Sequence, residues 1–194
     1  MSAYPQSQIL DALDRYLEAC PLPEDLWIFA YGSLLWNPEM HVIKSKQGKV
    51  SGLQRGFNLL STVHRGTLEC PGLVLSLREG GHCEGMALQI SKNTQEKDFK
   101  HLWLREMVTM FYVPYLCKVN TCDGDINAIT FVADKQHEQY VDFDAAVCAS
   151  MIGQAHGGRG SNIDYFNNTL KHLKTLDIHD PLFSDISRHL VANA

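Results

Sequence analysis

The spacing of apolar residues predicts an N-terminal helix and, after it, a short buried strand. In residues 7–20 the apolar side chains from Ile9 onward recur at i, i+1, i+4, i+7 and i+8, which places them on one helix face. Prolines at positions 21 and 23 end that helix. Residues 26–31, LWIFAY, are aromatic and branched and run directly into Gly32-Ser33, as expected of a strand that ends in a turn.

The middle of the chain has the pattern of a β-rich region interrupted by one helix. From about position 42 onward, glycines separate short apolar runs, and we expect two strands, 72–77 and 83–90, joined by a glycine turn. A second strand pair is expected at 111–119 and 126–133, around the turn CDGD. Between the two pairs, residues 95–107 have helical periodicity.

After about residue 142 the pattern becomes helical. An Ala-rich segment, 142–155, begins with acidic residues, as the helix dipole favours. The GGRG segment at 157–160 breaks this helix, and Ser161 with Asp164 resembles a capping box that opens the next one. A final amphipathic helix has four apolar residues on one face: Phe183, Ile186, Leu190 and Val191.

The order of these elements predicts an α+β fold. Strands in the middle of the chain with helices at both ends favour a curved or barrel-like sheet. A doubly wound Rossmann sheet is the weaker hypothesis, because strict alternation of strand and helix is missing. One domain is the simplest interpretation of 194 residues, and a chain of this length buries roughly 70% of its unfolded surface without staples.

Composition excludes several function classes. A net charge of −5 without a long basic run argues against a broad surface for nucleic acid or anionic lipid. The sequence has no run of about 18 apolar residues and no signal-like start, so we expect a cytoplasmic protein with no membrane insertion. Six scattered cysteines are expected to be free thiols, and no HExxH, HxH or zinc-finger spacing predicts a metal.

Glu106 is the residue whose place in the pattern most suggests chemistry. It lies seven residues after Phe99 on the apolar face of the helix at 95–107, whereas Arg105 is expected to point away. A carboxylate directed into a core is costly without partners, and partial burial raises its pKa, which suits a general base. The alternative is structural: a carboxylate at a helix end that reaches solvent or pairs with a nearby arginine.

Three glycine-containing segments are weaker candidates. The segment Tyr31–Trp36, YGSLLW, follows a predicted strand, and its N–H groups could bind an anion; a plain turn is the alternative. In HRG at 64–66, Arg65 could hold a carboxylate, although an exposed loop arginine is commoner. The segment 155–162, AHGGRGSN, lacks a phosphate-loop pattern, and we expect a flexible connector between two helices.

Four motifs, in chain order, resemble those of the ChaC-like γ-glutamylcyclotransferases. They are WIFAYGSLLWNP (27–38), HRGTLECPGLVLSL (64–77), LREM (104–107) and GSNIDYF (160–166). The resemblance extends from about Trp27 to at least Asp180, so we expect a family domain at 23–194 with an N-terminal helical extension at 1–22. It implies a γ-glutamylcyclotransferase-like fold, a small mixed β-barrel with surrounding helices. It also implies cleavage of glutathione to 5-oxoproline and cysteinylglycine, without a cofactor.

The resemblance also implies roles for individual residues. Glu106 matches the catalytic glutamate of the family. Substrate contacts are assigned to eight residues: Tyr31, Gly32, Ser33, Leu34, Leu35, Trp36, Arg65 and Tyr165. The chain departs from the family pattern shortly after the RE pair, where residues 108–111 are bulky rather than small.

Two alternatives to a glutathione-cleaving enzyme stay open. One is a non-catalytic regulator of the same fold that binds a small γ-glutamyl or anionic ligand, for example beside a cation transporter. The other is a cyclotransferase that acts on γ-glutamyl amino acids or γ-glutamylamines. In each case the partner is a small molecule and not a nucleic acid, and the sequence leaves the oligomeric state open.

Overall fold

Five strands form a closed barrel in the computed structural model, which describes residues 3–192. The strands follow the spatial order β1-β3-β2-β4-β5, and a parallel pairing of β1 with β5 closes the barrel. In chain order the elements are α1 (Gln6–Ala19), β1 (Trp27–Ala30), a 3₁₀ turn (Ser33–Leu35), β2 (Val42–Ser61), β3 (Gly72–Ile90), α2 (Gln95–Glu106), β4 (Tyr112–Thr121), β5 (Gly124–Ala133), α3 (Ala145–Gln154), β6 (His156–Gly157), β7 (Gly160–Ser161), α4 (Asn162–Thr175) and α5 (Pro181–Ala192). The predicted α+β fold with a barrel-like sheet is confirmed.

The longest feature is an antiparallel ribbon made of β2 and β3, which pair from Ser61 and Gly72 at one end to Val42 and Ile90 at the other. The predicted hairpin between 72–77 and 83–90 is therefore wrong, because both runs belong to the single strand β3. At Gly80 and Gly81 the backbone takes positive φ values of 123° and 48°, and Gly52 opposite has φ 81°. Here the glycines make a bulge at which the two strands bend together instead of reversing.

Strand β1 is buried on both faces, which explains its continuous apolar sequence. Phe29 packs into a core cluster with the barrel interior and the C-terminal helices. Ile28 and Ala30 point the other way, into a second cluster with α1 and α2. The chain after β1 therefore starts from a strand fixed on both sides.

Helix α1 braces α2, the helix that ends at Glu106. Trp103 is buried and donates its indole N–H to the carbonyl of Ile9, 3.0 Å away. The backbone N–H of Tyr4 donates to the carbonyl of Val108 at 2.8 Å. These contacts fix both sides of the last turn of α2; the boundary between extension and domain near residue 22 stays a prediction.

Helices α3 and α4 begin at capping residues, within the acidic start and the capping box that the sequence indicates. Asp144 accepts a hydrogen bond from the N–H of Val147, and Ser161 accepts one from the N–H of Asp164. The expected flexible connector between α3 and α4 is instead the two-stranded sheet β6–β7, and its turn donates from the N–H of Arg159 to the carbonyl of His64. No helix in the described range, 3–192, is long and apolar enough to cross a membrane.

Candidate active site

A cavity of about 300 Å³ opens where the ends of four barrel strands meet the end of α2. Because β1 ends, β2 turns into β3 and β4 begins at this same end of the barrel, the YGSLLW segment, the 62–71 loop and Glu106 converge here. The volume lies at the lower limit of ordinary small-molecule sites, roughly 300–1,000 Å³. A smaller chamber of about 30 Å³ adjoins it. Both spaces are bordered by Ser33, Val74, Glu106, Tyr112 and Tyr165.

Glu106 is the last residue of α2 and borders both spaces. Its side chain is 17% exposed, and its Oε1 lies 3.2 Å from Nε of Arg105. Burial raises the pKa of Glu106 above the ordinary value for a glutamate, against the opposing charges of Arg105 and Arg159. The sequence analysis treated a structural ion pair and a catalytic role as alternatives for Glu106. The structure has features of both, because the carboxylate pairs with an arginine and also borders a binding cavity.

Arg105 does not point away from the site, as the helical pattern predicted. Its side chain is only 8% exposed. The guanidinium donates to the carbonyl of Asn37 at 2.6 Å and to Oγ of Ser33 at 2.8 Å, and pairs with Glu39 at 3.1 Å. The segment that follows β1 covers the last turn of α2, so a helix face expected to be solvated is instead packed against the YGSLLW segment.

The YGSLLW segment is a 3₁₀ turn held between the barrel and α2. Tyr31 donates its hydroxyl to the carbonyl of Phe131 at 2.9 Å, and its own carbonyl accepts from Nε of Arg55 at 2.7 Å. The N–H groups of Ser33 and Leu34 begin the turn and so have no partner within it. Gly32 has φ −136°, and a Cβ there would lie 3.5 Å from the hydroxyl of Tyr165, so this glycine leaves space in the small chamber.

Most of the predicted substrate-contact residues border one of the two spaces. Trp36 and Arg65 line the larger cavity, Tyr31, Gly32 and Leu34 line the smaller one, and Ser33 and Tyr165 line both. Leu35 lines neither and packs against the two core clusters.

Arginine side chains give the larger cavity a positive wall. Arg65, Arg105 and Arg159 all line it. Arg65 lies over the ring of Tyr165, 5.2 Å from its centroid, and donates to the carbonyl of Arg159 at 2.6 Å. Burial, together with these three cations, lowers the pKa of His64 to about 4, so its imidazole is neutral at pH 7. The cavity thus suits a ligand that carries carboxylates.

Three buried tyrosines surround the small chamber. Tyr112 donates its hydroxyl to the carbonyl of Leu75 at 2.7 Å, and Tyr165 accepts from the N–H of Leu75 at 3.3 Å. Burial raises the pKa of Tyr31, Tyr112 and Tyr165, which keeps the phenols protonated. They offer neutral hydroxyl groups beside the carboxylate of Glu106.

Sequence reasoning missed several cavity residues. Tyr112, Arg159 and Gln139 line the cavity, yet Tyr112 lies in a predicted strand, Arg159 in the predicted flexible connector, and Gln139 in a stretch for which nothing was predicted. A local signal existed for His64, which stands beside the singled-out Arg65.

Among the described residues, no group of three His, Cys, Asp or Glu side chains could hold a metal ion, and no cysteine lines either space.

Comparisons with known proteins agree with this architecture. The family model described as ChaC-like protein matches residues 26–192. A glutathione-specific gamma-glutamylcyclotransferase of Escherichia coli K12 is 39% identical over 163 residues, covering 83% of this chain and 71% of that protein. Glutathione-specific gamma-glutamylcyclotransferase 1 of Homo sapiens is 33% identical, covering 74% of this chain and 67% of that protein.

The fold is also found in a solved structure. The crystal structure of a gamma-glutamyl cyclotransferase specific to glutathione from yeast superposes with a TM-score of 0.76. The match has 17% sequence identity and covers 87% of this chain and 99% of the yeast chain, so it supports the fold alone. With the family model matching most of its length, the chain belongs to the ChaC-like protein family.

Proposed function

We propose that this protein is a glutathione-specific γ-glutamylcyclotransferase, with Glu106 as its general base. The observation that carries the proposal is the position of Glu106: a carboxylate with raised pKa, at the junction of a small polar chamber and a cavity with three arginines. The named activities of the Escherichia coli and human relatives support the same reaction. Glutathione, a small molecule with two carboxylates, fits the charge of the cavity.

The reaction needs one proton carrier and a bent substrate. The α-amine of the glutamyl group attacks its own γ-carbonyl carbon, a new C–N bond closes the five-membered lactam, and the bond to the cysteinyl nitrogen breaks. Glu106 takes the proton that the amine loses and returns it to the leaving nitrogen, giving 5-oxoproline and cysteinylglycine. A free α-ammonium has a reference pKa of about 7.7–8.0, so this deprotonation is required at neutral pH.

The junction of the small chamber with the larger cavity, beside Glu106, holds the glutamyl group in its cyclising shape. In our proposal the backbone N–H groups of Gly32, Ser33 and Leu34 bind the glutamyl α-carboxylate or the developing oxyanion. The phenols of Tyr112 and Tyr165 border the space in which the lactam forms. Since nucleophile and electrophile belong to one molecule, orienting them lowers the barrier by several kcal/mol without a covalent enzyme intermediate. Arg65 and Arg159 receive the carboxylate of the leaving peptide.

One assay separates this proposal from its alternatives. Purified protein is incubated with glutathione and, in parallel, with a panel of γ-glutamyl amino acids and γ-glutamylamines, and 5-oxoproline is measured. We expect 5-oxoproline and cysteinylglycine in equal amounts from glutathione, and little turnover of the panel. Product from the panel alone would identify a different γ-glutamyl substrate, and binding without product would identify a regulator. A cytoplasmic location stays a prediction.

A further inference from the structure

Gln139 is a buried polar residue whose backbone and side chain are both fixed to strand β2. It is 4% exposed and lies in the loop between β5 and α3. The N–H of Leu60 donates to the backbone carbonyl of Gln139 at 3.0 Å, and Nε2 of Gln139 donates to the carbonyl of Leu60 at 3.0 Å. The loop is tied in addition to the segment after Glu106, because His137 Nε2 lies 2.9 Å from the carbonyl of Thr109.

The side-chain oxygen of Gln139 has no hydrogen-bond partner in the described structure, although it is buried. The orientation of the amide is set by the Leu60 carbonyl, which can only accept, so the nitrogen must face Leu60 and Oε1 is the end left over. A buried acceptor without a partner costs about 1–3 kcal/mol. Gln139 lines the larger cavity, although Oε1 itself is covered by its neighbours, so a ligand donor reaches this oxygen once the adjoining side chains shift.

The place of Gln139 in the cavity indicates which part of a substrate meets it. It lines the larger cavity and not the small chamber beside Glu106. If the γ-glutamyl group lies beside Glu106, where the two spaces meet, as in the proposed function, the cysteinylglycine part extends into the rest of the larger cavity. That part contains one amide N–H besides that of the bond that is cleaved, the N–H of its glycine.

We propose that Gln139 is a specificity-determining residue, whose Oε1 accepts the glycyl N–H of glutathione. This inference rests on the proposed function and deepens it. A dipeptide such as γ-glutamylcysteine lacks that N–H and leaves the buried oxygen unpaired. Sites built to hydrogen-bond a substrate group discriminate strongly against analogues that lack it. Gln139 thereby favours the tripeptide over γ-glutamylcysteine, a distinction that Glu106 and the small chamber do not make.

The test removes the donor from the substrate and the acceptor from the protein in turn. The substrates are glutathione and its ester analogue, in which glycolate replaces glycine, so that an oxygen stands in place of the N–H while the terminal carboxylate stays. We measure kcat/KM by 5-oxoproline release. For the wild-type protein we expect glutathione to be preferred about tenfold, within the range for an unpaired buried group. In Gln139→Met this preference falls to less than about twofold.

Two further variants separate recognition from a structural role. Gln139→Glu keeps an oxygen at the same reach but loses the donor to Leu60, so it should retain the preference for glutathione even if it is less stable. Gln136→Met changes an exposed glutamine in the same loop and serves as the matched control. If Gln139→Met does not fold, the proposal is still tested by two measurements: the ratio of kcat/KM for glutathione to that for the ester in the wild-type protein, and the same ratio in Gln139→Glu.

Three results would overturn the assignment: equal wild-type kcat/KM for glutathione and the ester, an undiminished preference in Gln139→Met, or a lost preference in folded Gln139→Glu. Absence of 5-oxoproline from glutathione with wild-type protein would instead refute the proposed function itself.

Discussion

Replacing Glu106 by glutamine changes little in shape and removes the group that carries the proton. General base catalysis contributes typically about 10²–10⁴-fold, so kcat should fall by at least about a hundredfold, or about 2.7 kcal/mol in the barrier. KM should change much less, since the small chamber and the arginines of the cavity are retained.

The same contacts predict a small effect on stability. Removing one partner of a buried ion pair costs about 3–5 kcal/mol when the other charge is left alone. Arg105, however, keeps the carboxylate of Glu39, the carbonyl of Asn37 and the hydroxyl of Ser33. We therefore expect a loss of about 1 kcal/mol or less, which shifts Tm by about 2–4 °C in a chain of this size.

The assay is single-turnover release of 5-oxoproline with enzyme in excess, alongside thermal unfolding. Glu96→Gln, in the exposed first turn of the same helix, controls for the substitution itself. Glu39→Gln makes the same change at the other carboxylate that contacts Arg105, and should lower kcat far less than Glu106→Gln does. A Glu106→Gln protein that keeps more than a tenth of the wild-type rate would refute the general-base role. A drop in Tm above about 10 °C would show that the residue is mainly structural.

Four more outcomes are expected. Because burial raises the pKa of Glu106 and a base must be deprotonated, kcat/KM should fall as pH falls through that raised pKa, and a pH–rate profile of Glu106→Gln should lack this limb. EDTA in the assay, or treatment of the protein with a thiol-blocking reagent that is removed before glutathione is added, should leave 5-oxoproline release unchanged, and a loss that zinc restores would contradict this. Gly32→Ala narrows the small chamber and should lower kcat/KM for glutathione more than Ser33→Ala, which removes one acceptor of Arg105; an equal rate for Gly32→Ala and wild type would count against the site. Asp180→Ala leaves the guanidinium of Arg55, 2% exposed, without its carboxylate and should cost about 3–5 kcal/mol in denaturant unfolding; a loss below about 1 kcal/mol would contradict this.

Local patterns predicted the elements whose stability is itself local. Helix α1, strand β1 and the cap at Ser161 follow from side chains within a few residues of one another, and the structure has them within one or two residues. The motifs around Tyr31 and Glu106 also indicated two sides of the cavity.

What the sequence could not predict depends on contacts between distant segments. In β2 the core-facing residues Val50 and Leu53 are three positions apart, whereas a regular strand keeps an even spacing on each face. The bulge at Gly52 causes this shift, and Phe57 follows at an even spacing from Leu53. The alternation of core-facing and outward-facing residues is therefore interrupted at the glycines. In the sequence this interruption looks like a turn between two strands, although the structure has one bent strand. Arg105 looked solvated because nothing in its own helix shows that the 33–39 segment would cover it.

A change of chain length in the β2–β3 ribbon has one effect at the bend and another in the stretch between the bend and the cavity. Between Leu53 and Phe57, deleting one residue would exchange the two faces of the strand and turn Arg55 away from the Tyr31 carbonyl and from Asp180. It would also draw the 62–71 loop, with its cavity residues, back by about 3.3 Å. Gly52 is exposed, and a side chain there would meet no atom within 4 Å. Natural and engineered insertions should therefore accumulate at the bend, while the stretch from the bend to the cavity keeps a fixed length.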